Sequence, residues 1–178
     1  QLSQLLWILP STIASVLYSF ASNCSEQQAV NYAIQLKQIA FYGIMVLAAA
    51  GLILAYYFIP VLYGVEFTRA FGLMQLFVSG VVPFSITTVL ASFFAARGNF
   101  KVSFVISLVI FAISSVMYFT FIPRFGLKGG AAASAISYLV ASVICEIWFC
   151  RQYKVSFFNL FRIDKNIFSL KALFSNRK

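Results

Sequence analysis

The chain has 178 residues, of which 62% are hydrophobic and 10% charged, with mean hydropathy +0.92. A water-soluble domain carries about 45–50% apolar and about 25% charged residues, so this composition excludes one and points to an integral membrane protein. Thirteen Lys and Arg against four Asp and Glu give +9. The basic residues sit between apolar runs and in the tail, where topology signals lie, so nucleic acid is set aside as a partner.

There is no His, which removes the commonest general base and metal ligand near neutral pH. Cys24, Cys145 and Cys150 lack a CxxC or zinc spacing and are read as small apolar filler. No paired carboxylates, nucleophile elbow, phosphate-cradling glycine loop or metal cluster is visible. No cofactor, metal or catalytic role is therefore expected. Gln1 opens directly onto LLWILP without a Met, a basic n-region or a cleavage site. That start is read as a C-terminal piece of a longer protein.

Five spans are expected over residues 1–150: about 2–20, 39–62, 70–95, 102–122 and 129–150. Roughly 20 apolar residues cross the hydrocarbon core. Each span must satisfy its backbone internally, so all five are expected to be helices. Pro10 and Pro83 fall inside spans and are expected to kink or locally unwind them. The third span also carries Gln75, Ser79, Ser85, Thr87 and Thr88 around Pro83, which line either a hydrated path or a helix–helix contact. Pro123 is expected to close the fourth span.

The fifth span opens with Gly129, Gly130, Ala133, Ser134 and Ser137. Gly129, Ala133, Ser137 and Ala141 recur every fourth residue, a pattern that lets helix backbones pack closely, within a bundle rather than across a dimer. Glu146 is the one ionisable residue expected inside a span. It is a candidate for ion coupling, against the plainer reading of snorkelling or pairing with a basic neighbour such as Arg151. Residues 151–178 form a basic tail with Ile163, Ile167, Leu170 and Phe174 on one helical face. It is expected to lie on the anionic cytoplasmic surface or to be a solvated tail. Ser25–Gln38 is a weaker candidate for an interfacial helix.

Successive connections alternate sides. One side holds Lys37, Arg97, Lys101 and the tail's basic residues; the other holds Arg69, Arg124 and Lys128. The positive-inside rule puts the richer side, with the C-terminus, in the cytoplasm.

Four stretches carry a resemblance. LWILPSTIASVLYSFAS (6–22), LYGVEFTRAFGLMQLFVSG (62–80), ASFFAARGNFK (91–101) and IPRFGLKGGAAASAISYLVAS (122–142) resemble the C-terminal half of bacterial polysaccharide flippases. These are the lipid-linked oligosaccharide branch of the multidrug/oligosaccharidyl-lipid/polysaccharide exporter superfamily. The resemblance implies a two-lobe helical bundle of which this chain supplies most of the second lobe, so a missing N-terminal lobe becomes a partner. It further implies alternating-access movement of an undecaprenyl-diphosphate-linked oligosaccharide across the inner membrane, for O-antigen or capsule synthesis, with an ion gradient as driver. Arg97 and Lys101, at a cytoplasmic turn, are candidates to meet the diphosphate, or serve only as topology signals. The alternatives are a drug or cation exporter of the same superfamily and a membrane-embedded protein that does not transport.

Overall fold

The computed structural model describes residues 6–64 and 68–155. They fold into four helices: α1 Ile8–Asn23, α2 Glu26–Tyr63, α3 Thr68–Ala96 and α4 Phe100–Tyr153. By length and composition, α2 (over Glu26–Phe58), α3 (over Phe71–Ala96) and α4 suffice to cross a membrane. Of the basic amphipathic tail expected over residues 151–178, the first three continue α4 to Tyr153, and residues 156–178, like the turn around Glu66, lie outside the described residues.

Helix α4 is not one rod. Gly126 takes φ 58°, ψ −137°, outside the helical region and readily reached only without a Cβ. Beyond it the chain folds back. The Tyr118 hydroxyl and Ser134 Oγ lie 2.7 Å apart, whereas a straight helix would hold these residues about 24 Å apart. The fourth and fifth expected spans are thus two antiparallel arms of α4 joined at Gly126. Pro123 does not end the first arm; it sits inside the helix, before the reversal.

Two other expectations are corrected. Pro10 stands in the first turn of α1, where backbone N–H groups have no helical partner to lose, so it opens the helix rather than kinking it. The second span starts at Glu26 rather than at Ile39, and most of the presumed connection Cys24–Gln38, from Glu26 on, is more than three turns of α2. Ser25–Gln38 is therefore not a separate interfacial helix. Gln-rich spacing disguised this: Glu26, Gln27, Gln28, Gln35 and Gln38 lowered the local hydropathy without breaking the helix. Pro83 lies within α3, which runs through it as a single helix.

α1, α3 and the second arm of α4 run the same way, and α2 and the first arm run against them. The register is read from side chains: Phe84 stacks on Tyr138 at 4.5 Å, and Phe93 meets Phe149 at 5.4 Å. The largest interface is α3 with α4, and small residues make it possible. A Cβ on Gly80 would run into the backbone of Ala135, and one on Gly129 into the carbonyl of Phe121 in the opposite arm. Gly129, Ala133, Ser137 and Ala141 are all buried, so the small-residue face is covered within the chain. A buried cluster of Leu17, Ala33, Leu90, Phe93, Phe94 and Phe149 joins α1, α2, α3 and α4 near the end where α1 and α3 finish.

Candidate functional site

Among the described residues lies a buried ion pair that local sequence does not reveal. The Lys37 Nζ donates to Glu146 Oε1 at 2.6 Å, and the two side chains are 1% and 3% exposed. Lys37 lies about 16 Å along α2 from Glu26, and Glu146 about 10 Å before the end of α4, at about 1.5 Å per residue. Its surroundings are apolar or small: Ala33 and Ala40 one turn either side of Lys37, and Ser142, Cys145 and Phe149 around Glu146, all buried. In such a setting each charge stabilises the other.

Glu146 was expected to be the lone ionisable residue in a span, snorkelling or pairing near its own helix end. It is instead held in the interior by Lys37, a residue counted beforehand as a loop cation. Lys37 thus leaves the tally of topology signals.

Arg97 is also engaged inside the protein. Its Nη1 donates to the carbonyl oxygens of Ala21 and Cys24, at 3.3 and 3.2 Å. These are unpaired carbonyls at the end of α1, where a cation also meets the negative end of the helix dipole. The guanidinium ties α3 to α1, which is a sufficient account of its position. Lys101 is exposed at the start of α4.

The candidate path residues of α3 do not converge. Gln75 and Ser79 are exposed and one turn apart, so they share a face. Thr87 is buried with its hydroxyl unpartnered, and Thr88 is half-buried and bonded to the Phe84 carbonyl at 3.3 Å. The more coherent polar surface lies on α1. Ser11, Ser15, Ser19 and Ser22 follow at steps of four, four and three, all exposed, each donating to a carbonyl of its own helix. That back-bonding lets a hydroxyl face exist in an apolar setting while leaving its oxygen lone pairs available. The signal was present as serine at helical spacing in an apolar run, and it was passed over because only charges and Pro83 drew attention.

Above this face an aromatic group closes the contact between α1, α3 and α4. Trp7 sits edge-on to Phe84 at 5.1 Å and to Tyr138 at 6.1 Å, and Phe77 meets Tyr138 at 6.2 Å. Among the described residues no group of three or more His, Cys, Asp or Glu could hold a metal ion.

An apolar helical bundle with a buried ion pair and a hydroxyl stripe fits a transport protein. Comparison with known families decides which kind. The family model described as lipid II flippase MurJ matches residues 2–175, nearly the whole chain. The chain belongs to the lipid II flippase MurJ family. No curated protein and no solved structure matches it. MurJ-family membership makes this a flippase-type transporter for a lipid-linked precursor and not an enzyme. With its membrane-spanning helices, it also makes this a multi-pass protein of the inner membrane. The resemblance seen in the four motifs reached the correct superfamily and the lipid-linked class of cargo.

Proposed function

We propose that the chain takes part in moving lipid II across the inner membrane, as part of the wall of an alternating-access path. The carrying observation is the match to the lipid II flippase MurJ family over residues 2–175. It supports lipid II over the O-antigen or capsule units to which the motifs pointed, and nothing comparable supports a drug or cation exporter. In this reading the two arms of α4 are separate crossings, which gives five in all. The protein works together with a further lobe that supplies the opposite wall, and the C-terminus is cytoplasmic. The hydroxyl face of α1, with Gln75 and Ser79 of α3, supplies hydrogen-bonding groups to the polar head of the cargo. Lys101 remains available at the entry to meet a phosphate, and Arg97 serves as structural support.

The test is translocation in vesicles made with the intact protein, offering lipid II or an O-antigen-type lipid-linked unit. Lipid II alone should change leaflet. In addition, Ser15→Cys or Ser19→Cys should become blocked by a water-soluble thiol reagent, whereas Val46→Cys, on an exposed apolar face of α2, should not. Movement of the O-antigen unit but not of lipid II would overturn the cargo. Equal insensitivity at Ser15, Ser19 and Val46 would overturn the path.

A further inference from the structure

Four aromatic rings meet where α1, α3 and the second arm of α4 come together. Trp7 stands edge-on to Phe84 and Tyr138, Phe77 stands edge-on to Tyr138, and Phe84 leans on Tyr138 at 4.5 Å. All four side chains are half-buried. At about 1.5 Å per residue, Tyr138 lies about 18 Å along α4 from Gly126 and about 22 Å from Tyr153, near mid-height of the bundle. We propose that Trp7 and Tyr138 form a shelf on which a sugar ring of a lipid-linked cargo stacks as it crosses.

The physical argument turns on two polar atoms. The Trp7 Nε1–H and the Tyr138 hydroxyl have no hydrogen-bond partner among the described residues, and neither is sealed in the interior. In membrane proteins Trp and Tyr collect at the two interfaces, where the ring lies in apolar surroundings and the polar tip in water. At mid-height hydrocarbon offers these tips nothing, and leaving them unbonded is costly. The rings are better matched by a partner that brings C–H bonds and hydroxyls to one place. A pyranose does so. Its C–H bonds, made slightly positive by the neighbouring oxygens, meet the negative face of an aromatic ring, while its hydroxyls stand at the rim. The Trp7 N–H then donates to a sugar oxygen, and the Tyr138 hydroxyl donates or accepts. Ser11 and Ser15 follow Trp7 at steps of four, both exposed, and extend the same side of α1 with further hydroxyls.

A group of aromatic rings also suits an organic cation, but charge speaks against one here. Of the described carboxylates, Glu146 is paired with Lys37, and Glu26 opens α2 at the far end of α1 from Trp7. The diphosphate is unsuited for the converse reason, since Arg97, too, is held at that far end. The part of the cargo that meets the shelf is therefore neutral, a sugar rather than a charged group. A site at mid-height can be offered to either side in turn, as alternating access requires. The cargo class rests on the transport reading above, while the stacking chemistry is common to any lipid-linked sugar.

Binding to the intact protein in lipid nanodiscs tests it. The probes are lipid II, an O-antigen-type lipid-linked unit and undecaprenyl diphosphate, which has the anchor without the sugar. The wild type should bind lipid II more tightly than undecaprenyl diphosphate. Trp7→Leu and Tyr138→Leu should each weaken lipid II about tenfold and leave undecaprenyl diphosphate unchanged. Should these variants misfold, Trp7→Phe and Tyr138→Phe keep a ring in place and lose only the polar tip. They should weaken lipid II about threefold, again without effect on undecaprenyl diphosphate. Equal losses for both lipids would make the rings packing groups only and overturn the shelf. So would a wild type that prefers neither sugar-bearing lipid. A preference for lipid II that survives in all the variants would sink the shelf and leave the cargo standing. A preference for the O-antigen-type unit, lost in Trp7→Leu, would sustain the shelf and sink only lipid II as cargo. Binding of tetraphenylphosphonium in place of the sugar lipids, lost in Trp7→Leu, would replace the shelf with a cation cage.

Discussion

At the scale of single residues, the same chemistry serves different ends according to where the fold leaves it. Lys37 and Arg97 both looked like loop cations; one is buried against a carboxylate and the other satisfies two helix-end carbonyls. For the pair, removing one partner strands the other. Lys37→Met alone should lower stability by about 3–5 kcal/mol, read as a fall in thermal midpoint and in folded yield in detergent. Lys37→Met/Glu146→Leu should recover most of that loss, because two apolar side chains of similar volume leave no charge to bury. A double variant as unstable as the single would show that the pair's geometry, rather than its charge balance, holds α2 in place.

At the scale of elements, glycine decides how closely and in which direction the helices run. Gly80 allows α3 to lie against the Ala135 backbone, and any Cβ there forces the two helices apart. Gly80→Ala should therefore cost about 1–3 kcal/mol, as overpacking does. Gly51→Ala on α2, where nothing lies within 4 Å of the added carbon, should be neutral or slightly stabilising. Thermal unfolding of the two variants side by side checks the contrast. Gly126 acts through conformation instead, since a Cβ would meet no neighbour but the dihedrals are unfavourable for any L side chain. Gly126→Ala should cost about 1–3 kcal/mol and loosen the return of the second arm. Cross-linking of cysteines placed at Tyr118 and Ser134 should fall in that variant.

For the whole molecule, the helix ends sort the charges. The end that gathers the close of α1, the start of α2 and the close of α3 and α4 carries Arg97, Lys101, Arg151 and Lys154. The turn at Gly126 carries Arg124 and Lys128. Taking Lys37 out of the count narrows the asymmetry without reversing it, so the proposed orientation, with the first end cytoplasmic, keeps its support from the positive-inside rule. A reporter fused after Lys178 should be active only in its cytoplasmic form, and a tag inserted beside Gly126 should be reached from outside. The opposite pattern would invert the orientation.

The membrane character, the helical architecture and the superfamily were legible in the chain alone. Long apolar runs admit only helices in lipid, and four motifs spaced along 6–142 needed no contacts to be recognised. The four-residue period of Gly129, Ala133, Ser137 and Ala141 maps directly onto one side of a helix, and all four are buried. The start of α2 was not legible, since hydropathy reports where lipid ends and says little about where a helix ends. The partner of Glu146 was not, because Lys37 lies 109 positions away in the chain and no local pattern links them. Only the tertiary structure, by stacking α3 between α2 and the folded-back arm of α4, brings an apparent loop cation and a buried acid to one point. Burial then makes each charge a stabiliser of the other.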